Sequence, residues 1–259
     1  MAISLASLRR KEAPKPPIWV LYGPAGIGKT TLASGADNPV LIAAEDGIGQ
    51  LDVPHWSPAS FQDVLDAIGS LYAEEHEFKT LVIDSVDWLE PLIHADVCAK
   101  NGWVNIEAID YGKGYVAAEA AWRQYIDGIR ALRDDRGMQI IQIAHEEIKR
   151  YQSPDSEAYD RHAIKLHRRA SALLQEHADI IAYVGYRVSL VENKGGFTKT
   201  KRGVGVGQRV MYFEERPSFI AKNRFSLPAS IDLPAVDQAH ANPQAAWAAV
   251  AAHLPQFAA

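Results

Sequence analysis

A glycine-rich loop that follows a buried strand constrains the fold more than any other feature of the chain. Ile18–Tyr22 is continuously apolar, as expected of a strand covered on both faces, and Lys29–Ser34 has a helical pattern. The intervening segment reads GPAGIGKT, which is the spacing G-x-x-x-x-G-K-T. Between a buried strand and a helix, this spacing predicts a P-loop.

The chemistry of the loop predicts a nucleoside triphosphate site. Its glycines let the backbone wrap around a phosphate, so that several N–H groups point at one anion. Lys29 adds a positive charge for the β- and γ-phosphates, and the Thr30 hydroxyl is suited to Mg²⁺. A glycine turn with a surface lysine is the alternative. The predicted nucleotide-binding residues are Gly23, Pro24, Ala25, Gly26, Ile27, Gly28, Lys29, Thr30 and Thr31.

Apolar runs and helical patterns alternate along the next part of the chain, which predicts a parallel sheet covered on both sides. The further apolar runs are Val40–Ala44, Thr80–Ile83, Gln139–Ala144 and Ile180–Val184. The further helical patterns are Ser60–Glu74, Asp87–Lys100, Val116–Arg133 and Ala163–His177.

Shorter strands joined by glycine-rich turns follow Gly185 and predict an antiparallel extension of the sheet. These strands are Arg187–Glu192, Arg209–Glu215 and Ser218–Ala221. We therefore expect an α/β fold with a mainly parallel twisted sheet flanked by helices, and a C-terminal antiparallel β extension. The predicted organisation is a flexible basic arm (1–17), a core domain (18–234) and a helical tail (235–259) with a helix over 242–253.

Composition limits the function classes. The chain of 259 residues has a net charge of −5 and one cysteine, Cys98, which excludes an intramolecular disulfide and a cysteine-rich metal site. No apolar run reaches the length of a membrane span, and we expect a cytoplasmic protein. Residues 149–224 hold 15 Lys and Arg against 8 Asp and Glu, which indicates a local anion-binding face on an acidic body.

Three polar residues follow predicted strands at the edge that carries the P-loop. Asp84 ends the third strand in the Walker B position, so we expect Thr30 and Asp84 to hold the metal; its alternative is a helix cap. Ser85 occupies the place where many ATPases carry a catalytic glutamate. Glu45, after the second strand, is the candidate base that activates water, and His145, after the fourth, is the candidate γ-phosphate sensor. For both, the alternative is an ordinary loop residue.

Together these residues resemble the RecA-like ATPase core. The segment AKNRFS (221–226) is similar to the lysine–asparagine–arginine–phenylalanine signature of RadA-type members. With YGKGY (111–115), the chain looks most like phage-encoded RecA-like P-loop ATPases, labelled phage nucleotide-binding or AAA-family proteins, some of which anneal single strands. The resemblance spans 18–228. It implies a RecA-like P-loop NTPase fold and a Mg²⁺-dependent ATPase of the bacterial host cytoplasm.

The resemblance also implies partners. Lys222 and Arg224 match basic residues that such proteins extend into a neighbouring subunit's ATP site, so it implies a homo-oligomer, filament or ring. An exposed basic strand end is the alternative. The apolar tip Ile3–Leu8 is a candidate arm for docking on the next protomer. Where these proteins usually carry a glutamine sensor, this chain has His145. Single-stranded DNA is the implied ligand, with a single-strand-binding protein as a further partner in recombination or annealing.

Basic and aromatic side chains after the third and fourth strands are the candidate DNA contacts, because lysines and arginines neutralise phosphates and tyrosines stack on bases. They are Tyr111, Lys113, Tyr115, Lys149, Arg150, Arg161, Lys165, Arg168 and Arg169. A solvated loop over 146–167 and a helix-start turn at Lys113 are the alternatives. A third basic group near Gly203–Gly207 predicts a mobile hairpin that contacts DNA or phosphate; it contains Lys194, Lys199, Lys201, Arg202 and Arg209.

Two other functions stay open at this stage. A nucleotide or small-molecule kinase would need an arginine-bearing lid and an acceptor pocket. A DNA-independent scaffold or loader would assemble with ATP and act on a protein partner. The sequence favours the DNA-binding oligomeric ATPase over both.

Overall fold

The computed structural model describes residues 14–49, 51–154, 157–193 and 200–255. The strands are β1 (Ile18–Gly23), β2 (Pro39–Ala43), β3 (His55–Trp56), β4 (Thr80–Asp84), β5 (Gln139–Tyr151), β6 (Tyr159–Ile164), β7 (Ile180–Asn193), β8 (Thr200–Tyr212), β9 (Lys222–Asn223) and β10 (Ser230–Leu233). The helices are α1 (Lys29–Ser34), α2 (Phe61–Ala73), α3 (Val86–Asn101), α4 (Lys113–Arg136), α5 (Arg168–His177), α6 (Val236–Ala241) and α7 (Pro243–Ala251).

The strands form one sheet in the order β10-β8-β7-β1-β5-β4-β2-β3. The pairs from β7 to β3 along this order are parallel, while β8 and β10 add antiparallel strands beyond β7. One strand, β5, separates the P-loop strand β1 from β4, which carries Asp84. The mainly parallel α/β sheet with an antiparallel extension is therefore confirmed.

Helices cover both faces of this sheet, and β1 shows how its alternating side chains serve both cores. Val20 and Tyr22 face the cluster built with α2, α3, α4 and α5, whereas Trp19 and Leu21 face the cluster built with α1, α6 and α7. The rings of Trp19 and Trp247 meet edge to face at 5.5 Å. The C-terminal helices thus pack on the face that also holds the P-loop helix.

Strand register brings four carboxyl ends to one edge of the sheet. Gly23 at the end of β1 is opposite His145 on β5, and Ala43 at the end of β2 is opposite Asp84 on β4. Ligands of open parallel sheets bind at this edge. The predicted functional residues of the P-loop, β2, β4 and β5 are therefore neighbours.

The segment after the fourth strand differs from the prediction. Residues 146–167 were expected to be a loop, with a helix over Ala163–His177, but β5 continues to Tyr151 and pairs antiparallel with β6, and α5 begins only at Arg168. Ladder hydrogen bonds between the two strands, with Ile148 opposite His162, override the helical pattern of residues 163–167. We call this β5–β6 extension the hairpin.

Smaller differences occur near the C-terminus. The predicted strand Ser218–Ala221 is wrong: residues 216–219 form a turn, and the strand there is β9, which pairs with the start of β7. Strands β3 and β10 and helix α6 were not predicted. The arm tip Ile3–Leu8, Lys194 and Lys199 lie outside the described residues. Within the described ranges, none of the helices combines the length and apolar character needed to cross a bilayer.

Candidate functional site

A cavity of about 550 Å³ opens at the carboxyl edge of the sheet, directly above the P-loop. It brings together the loop, the base candidate, the metal candidate and the sensor candidate that the sequence predicts. Its lining residues are Ala25, Gly26, Gly28, Lys29, Thr30, Thr31, Glu45, Gly47, Ile48, Gly49, Leu51, Asp84, Ile143, His145 and His240.

The loop has the backbone that a phosphate cradle needs. Gly26 and Gly28 have φ angles of 73° and 83°, in the left-handed region that favours glycine. Lys29 is 5% exposed, and its Nζ donates hydrogen bonds to the carbonyls of Gly23 at 3.0 Å and Pro24 at 2.8 Å. Burial lowers the pKa of Lys29, and the Asp84 carboxylate partly offsets this effect. The lysine is thus held across the loop.

Thr30 and Asp84 form the predicted metal pair. The Thr30 hydroxyl donates to Asp84 Oδ2 at 2.7 Å. Burial raises the pKa of Asp84, although the bond from Thr30 lowers it. A hydroxyl and a carboxylate are oxygen donors of the kind that Mg²⁺ prefers, and Mg²⁺ completes its shell with phosphate oxygens and waters. The residues present therefore fit a Mg²⁺–nucleotide complex.

Glu45 stands at the end of β2 beside Asp84. Its backbone N–H donates to the Asp84 carbonyl at 3.1 Å, which ties the segment just after β2 to the end of β4. Its carboxylate accepts from the Ser85 hydroxyl at 3.4 Å and lies 3.9 Å from the His145 Nδ1. The carboxylate lines the cavity, so the geometry is compatible with the predicted base.

His145 is fixed by Asp87, which the sequence analysis did not single out. The Asp87 carboxylate accepts the backbone N–H and the ring Nδ1 of His145, both at 3.0 Å. Burial alone would raise the pKa of Asp87, but interactions with His145 and the Ser85 hydroxyl together outweigh it and hold the pKa below its ordinary value. With Nδ1 engaged, Nε2 is the ring nitrogen that can face a ligand. Asp87 lies in the first turn of α3, where an acidic residue is also common because the helix dipole favours negative charge there.

Lys222 and Arg224 lie far from this cavity within the same chain. The Lys222 ammonium donates to the carbonyls of Gln175 and Glu176 at the end of α5, at 2.7 and 3.0 Å. Arg224 contacts Asp179, which also accepts the backbone N–H at the start of β1. Both cations therefore sit at the amino edge of the sheet, opposite the P-loop.

A shallow cleft of about 440 Å³ beside α3 gathers some of the predicted DNA contacts, namely Tyr115, Lys149, Lys165 and Arg168. The Tyr115 ring stacks on His167 at 3.8 Å, with an interplanar angle of 8°. Acidic residues share the cleft, and Lys149 contacts Glu147 at 2.8 Å. The cleft therefore carries both acidic and basic side chains and is not a purely basic groove.

The other predicted DNA contacts lie apart from the cleft. Arg161 is 8% exposed, donates to Glu215 at 2.8 Å and lies over the Tyr151 ring, so it links the hairpin to the segment after β8; its role as a DNA contact stays a prediction. Arg150 pairs with Asp160 within the hairpin. Three predicted DNA contacts remain. Tyr111 lies just before α4, and Lys113 is the first residue of α4. Arg169 lies on α5 and forms a hydrogen bond to α4.

Two further residues at the loop were not predicted as nucleotide contacts. The His240 Nε2 lies 3.0 Å from the Thr31 hydroxyl, although α6 is more than 200 positions along the chain. Arg209, assigned by sequence to a mobile basic hairpin, is 1% exposed and packs against Gly28. No sequence signal marks either contact, because each depends on how distant strands and helices pack.

The chain resembles known proteins at the level of a family and of a solved structure. No curated protein matches the chain. Among solved structures it is similar to the RadB recombinase, with 15% identity over 85% of this chain and 88% of that chain and a TM-score of 0.48. A family model described as an AAA domain matches residues 15–225, which include the P-loop, Glu45, Asp84 and His145. Because that match covers most of the sequence, the chain belongs to the AAA domain family of P-loop NTPases.

Proposed function

We propose that this protein hydrolyses ATP with Mg²⁺ at a site completed by a second subunit, and that hydrolysis is coupled to binding of single-stranded DNA during recombination or annealing. The observation that carries the proposal is the convergence of Lys29, Thr30, Asp84, Glu45 and His145 on one cavity. A bare anion-binding loop would not need a carboxylate pair and an oriented histidine beside it.

Each side chain has a distinct task in hydrolysis. Lys29 and the loop N–H groups bind the phosphates, while Thr30 and Asp84 hold the Mg²⁺, which supplies charge neutralisation at the phosphates when bound. Glu45 orients and deprotonates the attacking water. His145, aligned by its bonds to Asp87, contacts the γ-phosphate through Nε2 and changes its contacts when that phosphate leaves.

The positions of Lys222 and Arg224 support a composite site. β1 spans six residues, and a strand rises about 3.3 Å per residue, so the two edges of the sheet lie about 20 Å apart. Neither cation can cross that distance within one chain. In a head-to-tail assembly, the amino edge of one subunit faces the carboxyl edge of the next, where cations stabilise the transferring phosphoryl group.

Asp87 supports coupling between nucleotide and DNA. The carboxylate that orients His145 also lies 3.9 Å from the Lys165 ammonium in the neighbouring cleft. A DNA phosphate that draws Lys165 away from Asp87 changes the electrostatic environment of His145. The cleft is therefore the DNA contact that we assign, with Lys149, Lys165 and Arg168 as its cations.

ATP hydrolysis measured over a range of protein concentrations, with and without single-stranded DNA, tests the composite site. Lys29→Ala should abolish activity. Glu45→Ala and Arg224→Ala should each be inactive alone and recover part of the activity when mixed, because one interface then has both intact partners. Arg216→Ala, which removes an exposed arginine that pairs with its neighbour Glu214, is the matched control. If the rate of ATP hydrolysis per subunit changes with neither DNA nor protein concentration, and mixing the variants restores no activity, the composite site is refuted. That result would favour a nucleotide or small-molecule kinase.

Salt dependence of DNA binding tests the cleft separately. For single strands, each phosphate contact contributes about 0.7 to the slope of log K against log salt. Lys165→Ala should reduce that slope by about 0.7, whereas Lys100→Ala, on the exposed end of α3, should leave it unchanged. Assembly with ATP that is indifferent to DNA in both proteins would contradict the DNA role and favour a scaffold or loader.

A further inference from the structure

Arg209 is a buried cation with no hydrogen-bonded counter-charge among the residues that the structure describes. Its side chain is 1% exposed, and its Nε, Nη1 and Nη2 atoms have no hydrogen-bond partner among the described residues. Arg161, also buried, has Glu215 as a partner. An arginine stays protonated in proteins, and a buried charge without a partner is strongly unfavourable. Burial accordingly lowers the pKa of the Arg209 guanidinium.

The side chain is directed at the P-loop. Arg209 lies on β8 between Tyr186 of β7 and Leu233 of β10, and its backbone is held on both sides. A Cβ atom added at Gly28 would come within 2.9 Å of Nη1 and 3.5 Å of Cζ. Gly28 itself lines the nucleotide cavity. Only a residue without a side chain therefore separates the guanidinium from the phosphate site.

We propose that Arg209 supplies a fixed positive charge to the phosphate site across Gly28, and that the nucleotide phosphates are its missing counter-charge. This inference rests on the proposed nucleotide site. It assigns Arg209 to phosphate binding rather than to the hydrolytic step, so its effect falls on affinity for the phosphate portion of the ligand. It also explains why a guanidinium is held at the loop without a carboxylate, since a carboxylate would compete with the incoming anion.

The inference predicts opposite effects on stability and affinity. Arg209→Met keeps an extended side chain of comparable length but removes the charge. Without ligand, the variant should unfold at the same temperature as the wild type or at a higher one, because replacing an uncompensated buried charge by an apolar group is neutral or stabilising. Its dissociation constants for pyrophosphate and ADP should rise about tenfold, which corresponds to about 1.4 kcal/mol.

Calorimetric titration of the full chain with pyrophosphate, ADP and adenosine tests this assignment. Arg209→Met should weaken pyrophosphate and ADP while leaving adenosine unchanged, and Arg209→Lys should retain most of the affinity. Arg187→Met, on the adjacent strand β7, removes the same charge from an exposed pair with Asp232 and is the control for net charge. Arg209→Met with unchanged pyrophosphate affinity and a lowered unfolding temperature would overturn the proposal in favour of a packing role.

A measurement on the wild-type protein observes Arg209 with its own charge in place. In protein labelled with ¹⁵N-arginine, the Arg209 Nε–H resonance, assigned by its absence in Arg209→Lys, should shift when pyrophosphate is added. A resonance that does not move although pyrophosphate binds overturns the role of Arg209 alone. A wild-type protein that binds neither pyrophosphate nor ADP overturns the nucleotide site, so the two failures are distinguishable.

Discussion

Replacing Asp87 with asparagine tests how the site is held together. The Asp87 side chain is 3% exposed and accepts two hydrogen bonds from His145, each at 3.0 Å. An amide offers one oxygen, so one bond is lost and the other loses its charge. Hydrogen bonds to charged groups contribute about 1.5–3 kcal/mol and neutral ones about 0.5–1.5 kcal/mol. We expect the free energy of unfolding at pH 7 to fall by about 2–4 kcal/mol.

The same substitution has a defined pH dependence. Because the pKa of Asp87 is depressed in the folded protein, its stabilisation is fully present above the unfolded pKa of about 3.9 and is lost as the pH falls through the lower folded value. The difference in unfolding free energy between wild type and Asp87→Asn should therefore be present at about pH 5 and above. It should shrink below that range as the wild-type carboxyl becomes protonated.

Urea denaturation, with Asp96→Asn as the control, measures this loss. Asp96 lies on the same helix and pairs with Lys100 at the surface, where such pairs contribute about 0.3–0.5 kcal/mol. In ATPase assays, Asp87→Asn should lower kcat more than it raises KM, because Asp87 positions His145 and does not line the phosphate loop. Equal unfolding free energies for Asp87→Asn and Asp96→Asn would refute the reasoning.

Three further substitutions test separate contacts. Tyr125→Phe removes the hydroxyl that donates to Gln142 at 3.0 Å in the core and should cost about 1–2 kcal/mol in urea denaturation; an unchanged midpoint would contradict it. Gly28→Ala should lower the free energy of unfolding by at least about 1–2 kcal/mol, because alanine is strained in the left-handed backbone at this position. It should also weaken pyrophosphate binding in calorimetric titration, and an unaltered affinity would contradict this prediction. Trp247→Ala removes the ring packed on Trp19 and should cost about 3–5 kcal/mol by thermal denaturation; a loss below about 1 kcal/mol would mean that α7 packs only loosely.

Most of the parallel core could be predicted from sequence because its signals are local. A continuous apolar run of strand length such as Ile18–Tyr22, followed by a glycine-rich loop and a helical pattern, is typical of a strand buried on both faces. The hairpin was mispredicted because residues 146–151 (EEIKRY) and 159–164 (YDRHAI) have neither an alternating nor a continuous apolar pattern, and their pairing is decided by the ladder bonds between β5 and β6. Long-range pairing of this kind overrides local propensity.

The residues of the candidate site also fall into a group that the sequence predicts and a group that it does not. Lys29, Thr30 and Asp84 were predicted because loop spacing and strand ends fix their positions along the chain. Asp87 and Arg209 were missed as site residues, since their importance lies in which side chain each one meets. Asp87 binds His145 across 58 positions of sequence, and Arg209 reaches Gly28 across 181. Partners that far apart leave no periodicity or spacing for a single sequence to reveal.

The geometry of the sheet bears directly on the proposal that a second subunit completes the ATP site. The cavity residues stand at its carboxyl edge, whereas Lys222 and Arg224 are anchored at its amino edge by α5 and Asp179. Strands held by ladders on both sides do not bend to bring those edges together, so the two cations can act on phosphate only when a second copy supplies them. If an isolated chain hydrolyses ATP at the full rate, neither cation has a role in a neighbouring ATP site. Lys222 would then only cap α5, and Arg224 would only pair with Asp179.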